Sequence, residues 1–246
     1  MLSTSVETLA EASASGLGIW PRSWQWQNYR EVFNAAPFGR YFLNTFLVAG
    51  AVTAGVVVTS LLAGYAFARL QFPGRGLLFA LILATMMIPF ELALIPNFVI
   101  ITRLGWYNSH AALIVPWTAN AFSIFLLRQA FLAVPTDFFD AARVDGCGHL
   151  RFLVRIAPPL VKPALVTVGL FAFLGSYNSL LWPLVVTSSE EMRVVQVGLM
   201  AFLGDAGVRL HLLMGAATIV IAPTVLLYFL AQRHFIESAL GAGIRG

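Results

Sequence analysis

Long apolar stretches separated by short charged connections set the pattern of this chain. The clearest runs from Phe42 to Ala68, 27 residues without a formal charge, long enough to cross a hydrocarbon core as a tilted helix. Four more follow, so the pattern predicts five helical spans near residues 42–68, 77–96, 111–127, 163–186 and 212–231. Pro89, Glu91 and Pro96 interrupt the second. Proline removes a helical hydrogen bond and a carboxylate is costly in lipid, so a helix through about Ile88 and then a bent or interfacial stretch is expected. The third span is short and stops at Arg128, whose long side chain can reach the headgroups. Pro223 predicts a break or bend in the fifth. Gly50, Ala54, Gly55, Ala63 and Gly64 offer the first span small surfaces for close packing.

The connections differ in character. Residues 1–41 open without a basic segment or an apolar core and so do not read as a secretory signal. Trp20, Trp24, Trp26 and Tyr29, set among Pro21, Gln25, Gln27 and Asn28, suit an external segment at the membrane interface; an unordered tail with chance aromatics is the alternative. Arg69 to Arg75 forms a basic turn, Gly105-Trp106-Tyr107-Asn108 an external turn, and residues 187–210 a polar external connection with Glu190, Glu191, Arg193, Asp205 and Arg209. The most charged interval is Pro135 to Pro163. There Thr136 and Asp137 predict a capped helix start with Asp140 three positions on. Ala141 and Ala142 add no bulk, Gly146 supplies a sharp turn, and a second short helix over Cys147 to Ile156 stops at Pro158 and Pro159. Helix, bend and helix on a membrane surface make the shape of a docking knob.

Composition narrows the class. The 246 residues are 59% hydrophobic and 11% charged with a mean hydropathy of +0.82, whereas a soluble domain carries about a quarter charged residues. This predicts an all-α polytopic membrane protein. The formal charge of +4 lies in the connections and reads as topology information, which excludes a nucleic-acid surface. Nine basic residues fall in the 69–75 turn, the 128–162 loop and the tail after Gln232, against six elsewhere; the positive-inside rule therefore puts the charged loop and the C-terminus in the cytoplasm. Cys147 stands alone and reads as a small packing residue rather than a redox centre. Lys162, the one lysine, lies in Leu160-Val161-Lys162-Pro163, unlike a phosphate-cradling glycine-rich loop. His110, His149, His211 and His234 are scattered without metal-ligand spacing. No catalytic constellation and no metal site is expected, so the chain is read as a non-catalytic subunit.

Asp140-Ala141-Ala142, then Gly146, then Ile156 and Pro159 resemble the coupling-loop signature of permease subunits of binding-protein-dependent ABC importers. The family pattern is Glu-Ala-Ala, three residues, Gly, nine residues, Ile-x-Leu-Pro, and the spacing matches throughout. Asp140 replaces the usual Glu and Pro158 stands where Leu is common. Asn28 to Phe33, Tyr65-Ala66-Phe67-Ala68-Arg69 and Phe72-Pro73-Gly74-Arg75 resemble the same family. Gly175-Ser176-Tyr177-Asn178 and Leu181-Trp182-Pro183-Leu184 resemble its sugar-importing branch, with Tyr177 in place of Trp, and the ending from Gln232 to Gly246 is similar too. The chain resembles the smaller maltose-type permease subunit of this family.

The resemblance implies a type I ABC-importer transmembrane domain in a bacterial or archaeal plasma membrane, the inner membrane where there are two. It implies a homologous second permease subunit, two ATP-binding subunits and an extracytoplasmic solute-binding protein, with carbohydrate as substrate and ATP and Mg held by the partners. Permeation of glycerol phosphate or another small solute is the alternative, and a secondary transporter a more distant one. Asp140, Ala141, Ala142, Gly146, Ile156 and Pro159 are the implied ATPase-coupling residues. Asn178 reads as a packing, gating or sugar-contacting residue; Glu91 reads as an outer-boundary or a pathway carboxylate. The family has six spans where five are found here, and five would require residues 1–41 to cross the membrane ahead of the first. An upstream span and a late-assigned start are therefore expected.

Overall fold

The computed structural model describes residues 1–13, 20–204 and 207–243, without the side chains of residues 204, 207 and 231–243. Helices carry almost all of it: α1 (Leu9–Ser13), α2 (Gln27–Ala35), α3 (Phe38–Arg69), α4 (Arg75–Thr85), α5 (Phe90–Arg103), α6 (His110–Ile114), α7 (Ala121–Ala133), α8 (Thr136–Val144), α9 (His149–Arg151), α10 (Ala157–Leu160), α11 (Lys162–Tyr177), α12 (Leu181–Val186), α13 (Val195–Gly198) and α14 (Leu210–Gly243). A pair of two-residue antiparallel strands, β1 (Leu203–Gly204) and β2 (Gly207–Val208), precedes α14. Phe38–Arg69, His110–Ala133 and Leu210–Leu230 are long and apolar enough to cross a membrane. Two bent pairs, α4 with α5 at 99° and His149–Leu160 with α11 at 89°, bring the total to five if each pair is one span.

The first of two compact units comprises Met1–Leu47 and Tyr177–Arg233. Its N-terminal residues are folded: buried Asn28 donates from Nδ2 to the carbonyls of Ser5 at 3.0 Å and Glu7 at 2.9 Å, and Tyr29 shares a hydrogen bond with Ser5. Trp24 stacks on Trp26, and Trp26 on Tyr29, leaving both indoles exposed. The connection after α12 is less polar in space than in sequence. Val194, Val195, Val197 and Phe202 are buried, because short helical turns at Glu190–Met192, α13 and Leu199–Phe202 fold its apolar positions inward. Phe202 stacks on Phe38, and the hydroxyl of buried Tyr177 donates to the Val220 carbonyl at 2.8 Å. α14 stays helical through Pro223, so the expected break is absent; one missing N–H is tolerated in a helix of this length. Asp205, Ile244 and Arg245 lie outside the described residues, as do the side chains of the pattern that begins at Gln232.

The second unit comprises Val48–Ser176 and the residues from His234 onward. Gly55 and Gly64 sit where α3 meets neighbouring backbone: a Cβ at Gly55 would fall 2.7 Å from Thr118 Cβ, and one at Gly64 2.9 Å from Leu127 Cβ. Gly50 meets nothing within 4 Å, so only part of the small-residue series is used for packing inside this chain. Thr59 donates to the Thr118 carbonyl at 2.7 Å beside the Gly55 contact, satisfying a polar group where lipid offers no partner. α4 ends at Thr85, three residues short of the expected Ile88, and Pro89 caps α5, which continues through Pro96. Arg128 departs from its expected position at the end of the span. It does not end the helix, which runs on to Ala133; its guanidinium lies 4.2 Å over the Phe79 ring and its Nε donates to the Phe67 carbonyl.

Candidate functional site

The interval 135–163 folds as α8, a turn, α9, a π-helical turn over Phe152–Ile156, α10 and the start of α11. Pro135 precedes α8, and Thr136 makes no capping contact. α8 ends in a Schellman motif: the Cys147 amide donates to the Ala142 carbonyl at 2.8 Å, the Gly146 amide to Arg143 at 3.0 Å, and Gly146 takes φ +70°. Only glycine enters that region without a steric cost. Helicity then passes Ile156, where it was expected to stop, and continues to Leu160. Pro158 and Pro159 lack N–H groups, and the backbone adapts by widening the turn ahead of them, so that the Ala157 amide donates to Phe152. Prolines early in a helical segment replace donors that would be orphaned there.

The inner face of this loop closes on the end of α3. Tyr65, Phe131, Ala142, Phe152, Leu153, Ala157 and Val161 form one buried cluster. Tyr65 packs edge-on to Phe131 and against Phe139 and Phe152, and its hydroxyl meets His149 Nδ1 at 2.7 Å. One turn further on, Arg69 lies 3.9 Å over the Phe139 ring and donates from Nη2 to the carbonyls of Phe131 at 2.7 Å and Val134. The Phe131 carbonyl, which also accepts from the Val134 amide at 3.3 Å, and the Val134 carbonyl lie at the C-terminal end of α7. A shallow cleft between α3 and α8 is lined by Tyr65, Arg69, Asp140, Arg143 and His149.

The six residues assigned to coupling divide into two groups. Asp140, Ala141, Gly146 and Pro159 are exposed. Ala142 is 6% exposed and Ile156 packs against the same buried cluster. Asp140 is the fifth residue of α8, and Asp137 is the carboxylate of the first turn, so the helix-start role expected of Asp140 belongs to Asp137. Asp140 lies in the cleft with Arg69 and Arg143 instead. Val144 is 88% and Leu150 70% exposed, flanking the glycine turn, and Phe138 and Val154 are exposed as well. This is an apolar knob on a charged loop. Glu91 is exposed in the first turn of α5. Asn178 is exposed just past α11, and its Oδ1 accepts from Gln196 Nε2 at 3.4 Å. The two pathway candidates belong to different units. Sequence reading gave no role to Tyr65, Arg69, Phe139, His149 and Phe152. The signal was the four-residue spacing of Tyr65 and Arg69, which puts both on one helix face.

An almost all-helical chain with this loop is a membrane permease subunit of the ABC-importer class, and comparison with known proteins gives the family. Residues 34–238 match the binding-protein-dependent transport system inner membrane component, and the chain belongs to that family. The sn-glycerol-3-phosphate transport system permease protein UgpE of Yersinia enterocolitica is 34% identical over 220 residues, 86% of this chain and 78% of that protein. The arabinooligosaccharides transport system permease protein AraQ of Bacillus subtilis is 31% identical over 231 residues, 94% of this chain and 82% of that one. Among solved structures, a bacterial ABC transporter involved in the import of the acidic polysaccharide alginate superposes with a TM-score of 0.81 at 26% identity, over 95% of this chain and 88% of its counterpart. Membership implies partnership with an ATPase and a solute-binding protein.

Proposed function

We propose that this permease forms half of the translocation pathway of an ATP-driven carbohydrate importer, and that the 135–163 loop is the surface its ATPase grips. The observation that carries the docking assignment is the knob: exposed Val144 and Leu150 beside a positive-φ glycine whose Cβ position meets nothing within 4 Å. Apolar side chains held outward by a packed inner face are suited to a partner's groove. A second homologous permease completes the pathway, and two cytoplasmic ATPases bind ATP and Mg. The loop and the C-terminus face the cytoplasm. Closure of the ATPases drives alternating access because the outward-facing state binds the closed pair more tightly. The names of the arabinooligosaccharide and alginate systems support a carbohydrate substrate; that of the glycerol phosphate system supports a phosphorylated polyol as the second reading. Asn178 is proposed as a gating or pathway residue and Glu91 as a boundary carboxylate.

Replacing Gly146 tests the docking role in the assembled transporter. A β-branched residue there faces a backbone cost of about 1–2 kcal/mol from the left-handed region, and the absence of neighbours means that it obstructs a partner rather than this chain. Gly146→Val is expected to leave membrane abundance near normal while ATPase capture and uptake fall about tenfold or more, as an equilibrium shift above about 1.4 kcal/mol requires. Gly146→Asn, which tolerates positive φ, separates backbone strain from contact. Asp140→Lys adds a third cation beside Arg69 and Arg143 and weakens capture as well. Normal capture with normal uptake in Gly146→Val and Asp140→Lys would overturn the docking role. Uptake of labelled arabinooligosaccharide against labelled sn-glycerol-3-phosphate decides between the substrate readings.

A further inference from the structure

We propose that Tyr65 and His149 form a latch that passes movement of the docking knob into α3, which makes both of them positioning residues for transport. The inference rests on the docking role of the 135–163 loop. The segments of that loop, α8, α9, the π turn and α10, are nine, three, five and four residues long, too short to hold their own shape in isolation. Whatever moves them must be transmitted by contacts with a longer element, and the end of α3 supplies contacts to both arms.

The two contacts differ in kind. Arg69 grips the first arm through the Phe139 ring and the carbonyls of Phe131 and Val134. That grip involves a ring face and backbone and is insensitive to which side chain stands elsewhere. The second arm packs on Tyr65 through the Phe152 ring and is hydrogen-bonded to it by a side-chain pair, the Tyr65 hydroxyl and His149 Nδ1 at 2.7 Å, joining residues 84 positions apart. His149 is the first residue of α9, three positions beyond the Gly146 turn, and is exposed. Tyr65 is 5% exposed inside the aromatic cluster. One partner is thus anchored in the buried core while the other rides on the knob. A hydrogen bond between a fixed and a mobile group favours the conformation in which it forms and transmits a preference between two states.

The test uses the complete transporter in proteoliposomes, reading substrate taken up per ATP hydrolysed. Tyr65→Phe keeps the ring and removes the hydroxyl; His149→Ala removes its partner from the surface, where folding is not at stake. Each is expected to lower uptake per ATP about fivefold, the scale of one hydrogen bond made in one state and absent in the other, and Tyr65→Phe, whose lost hydroxyl lies outside the docking loop, should leave ATPase capture unchanged. The double variant should be no worse than either single one. His149→Asn, whose side-chain amide carries polar atoms close to the Nδ1 position, should recover most of the coupling, and a purely structural role would not predict that recovery. The latch is overturned if uptake per ATP stays normal in His149→Ala, if the two losses multiply in the double variant, or if asparagine is no better than alanine. Loss of capture in Gly146→Val alongside normal coupling in His149→Ala would leave the docking role standing and remove the latch.

Discussion

At its beginning, α3 is tied down by side chains that bond to backbone: Asn44 donates to the carbonyls of Glu191 at 2.6 Å and Arg193 at 3.0 Å, and Thr45 accepts from the Val195 amide at 2.9 Å. Tyr41 adds a bond to Glu190 at 3.2 Å and packs against Gly198 so closely that a Cβ there would lie 2.4 Å from the ring. At its end, α3 meets the loop through rings, one guanidinium and a single side-chain pair with one exposed member. Asn44 and Thr45 are 2% exposed; His149 is open to water. Buried polar groups with full complements of partners rigidify a structure, whereas a bond with an exposed partner exchanges readily with water. The beginning of α3 is built as a fixed joint and its end as a joint that can respond.

Substitutions at the fixed joint should therefore cost stability and leave coupling intact. Gly198→Leu is expected to have the largest effect, because the ring of Tyr41 is in the way; overpacking costs about 1–3 kcal/mol, and membrane abundance and thermal stability in detergent should fall sharply. Asn44→Ala comes next. It removes two hydrogen bonds to the carbonyls of Glu191 and Arg193, each worth about 0.5–1.5 kcal/mol, and should lower the melting temperature while the protein that remains transports with a normal ratio of uptake to ATP hydrolysed. A changed ratio would abolish the distinction between the joints. The smallest effects sharpen it. Ala142→Leu overfills the cluster beneath the loop and should lose about 1 kcal/mol or more, whereas Ala141→Leu, on the exposed face, should stay within about 0.5 kcal/mol in stability yet reduce ATPase capture in pull-down measurements. Equal capture by the two leucine variants would mean that α8 does not present its Ala141 face to a partner.

The helices near 42–68 and 212–231, the charged loop and its helix, turn and helix order were legible in the sequence, whereas the helix expected over 163–186 ends at Tyr177 and resumes only as α12. Each rests on local properties: the length of an uncharged run, the backbone freedom of Gly146, and the spacing of Asp140, Ala141, Ala142, Gly146, Ile156 and Pro159. Limits set by proline were read too strictly. Helix continues through Pro96, Pro158, Pro159 and Pro223, because one lost donor is absorbed by neighbouring turns when the rest of the helix is held in place.

What the tertiary structure decided is which face each residue shows and which distant residue it meets. Ala141 and Ala142 are indistinguishable in a linear reading, yet one is exposed and the other is in the core, since the rotation of α8 is set by packing of its Phe139 on Phe152 and Tyr65. Asp140 left the helix start because α8 begins at Thr136. Arg128 meets Phe79 because α4 supplies a ring within its reach. The apolar residues after Arg193 became buried because helical turns carried them inward. Hydropathy and turn chemistry act over a few residues and are written in the chain, while a bond such as that between Tyr65 and His149 exists only once packing has brought two remote segments together.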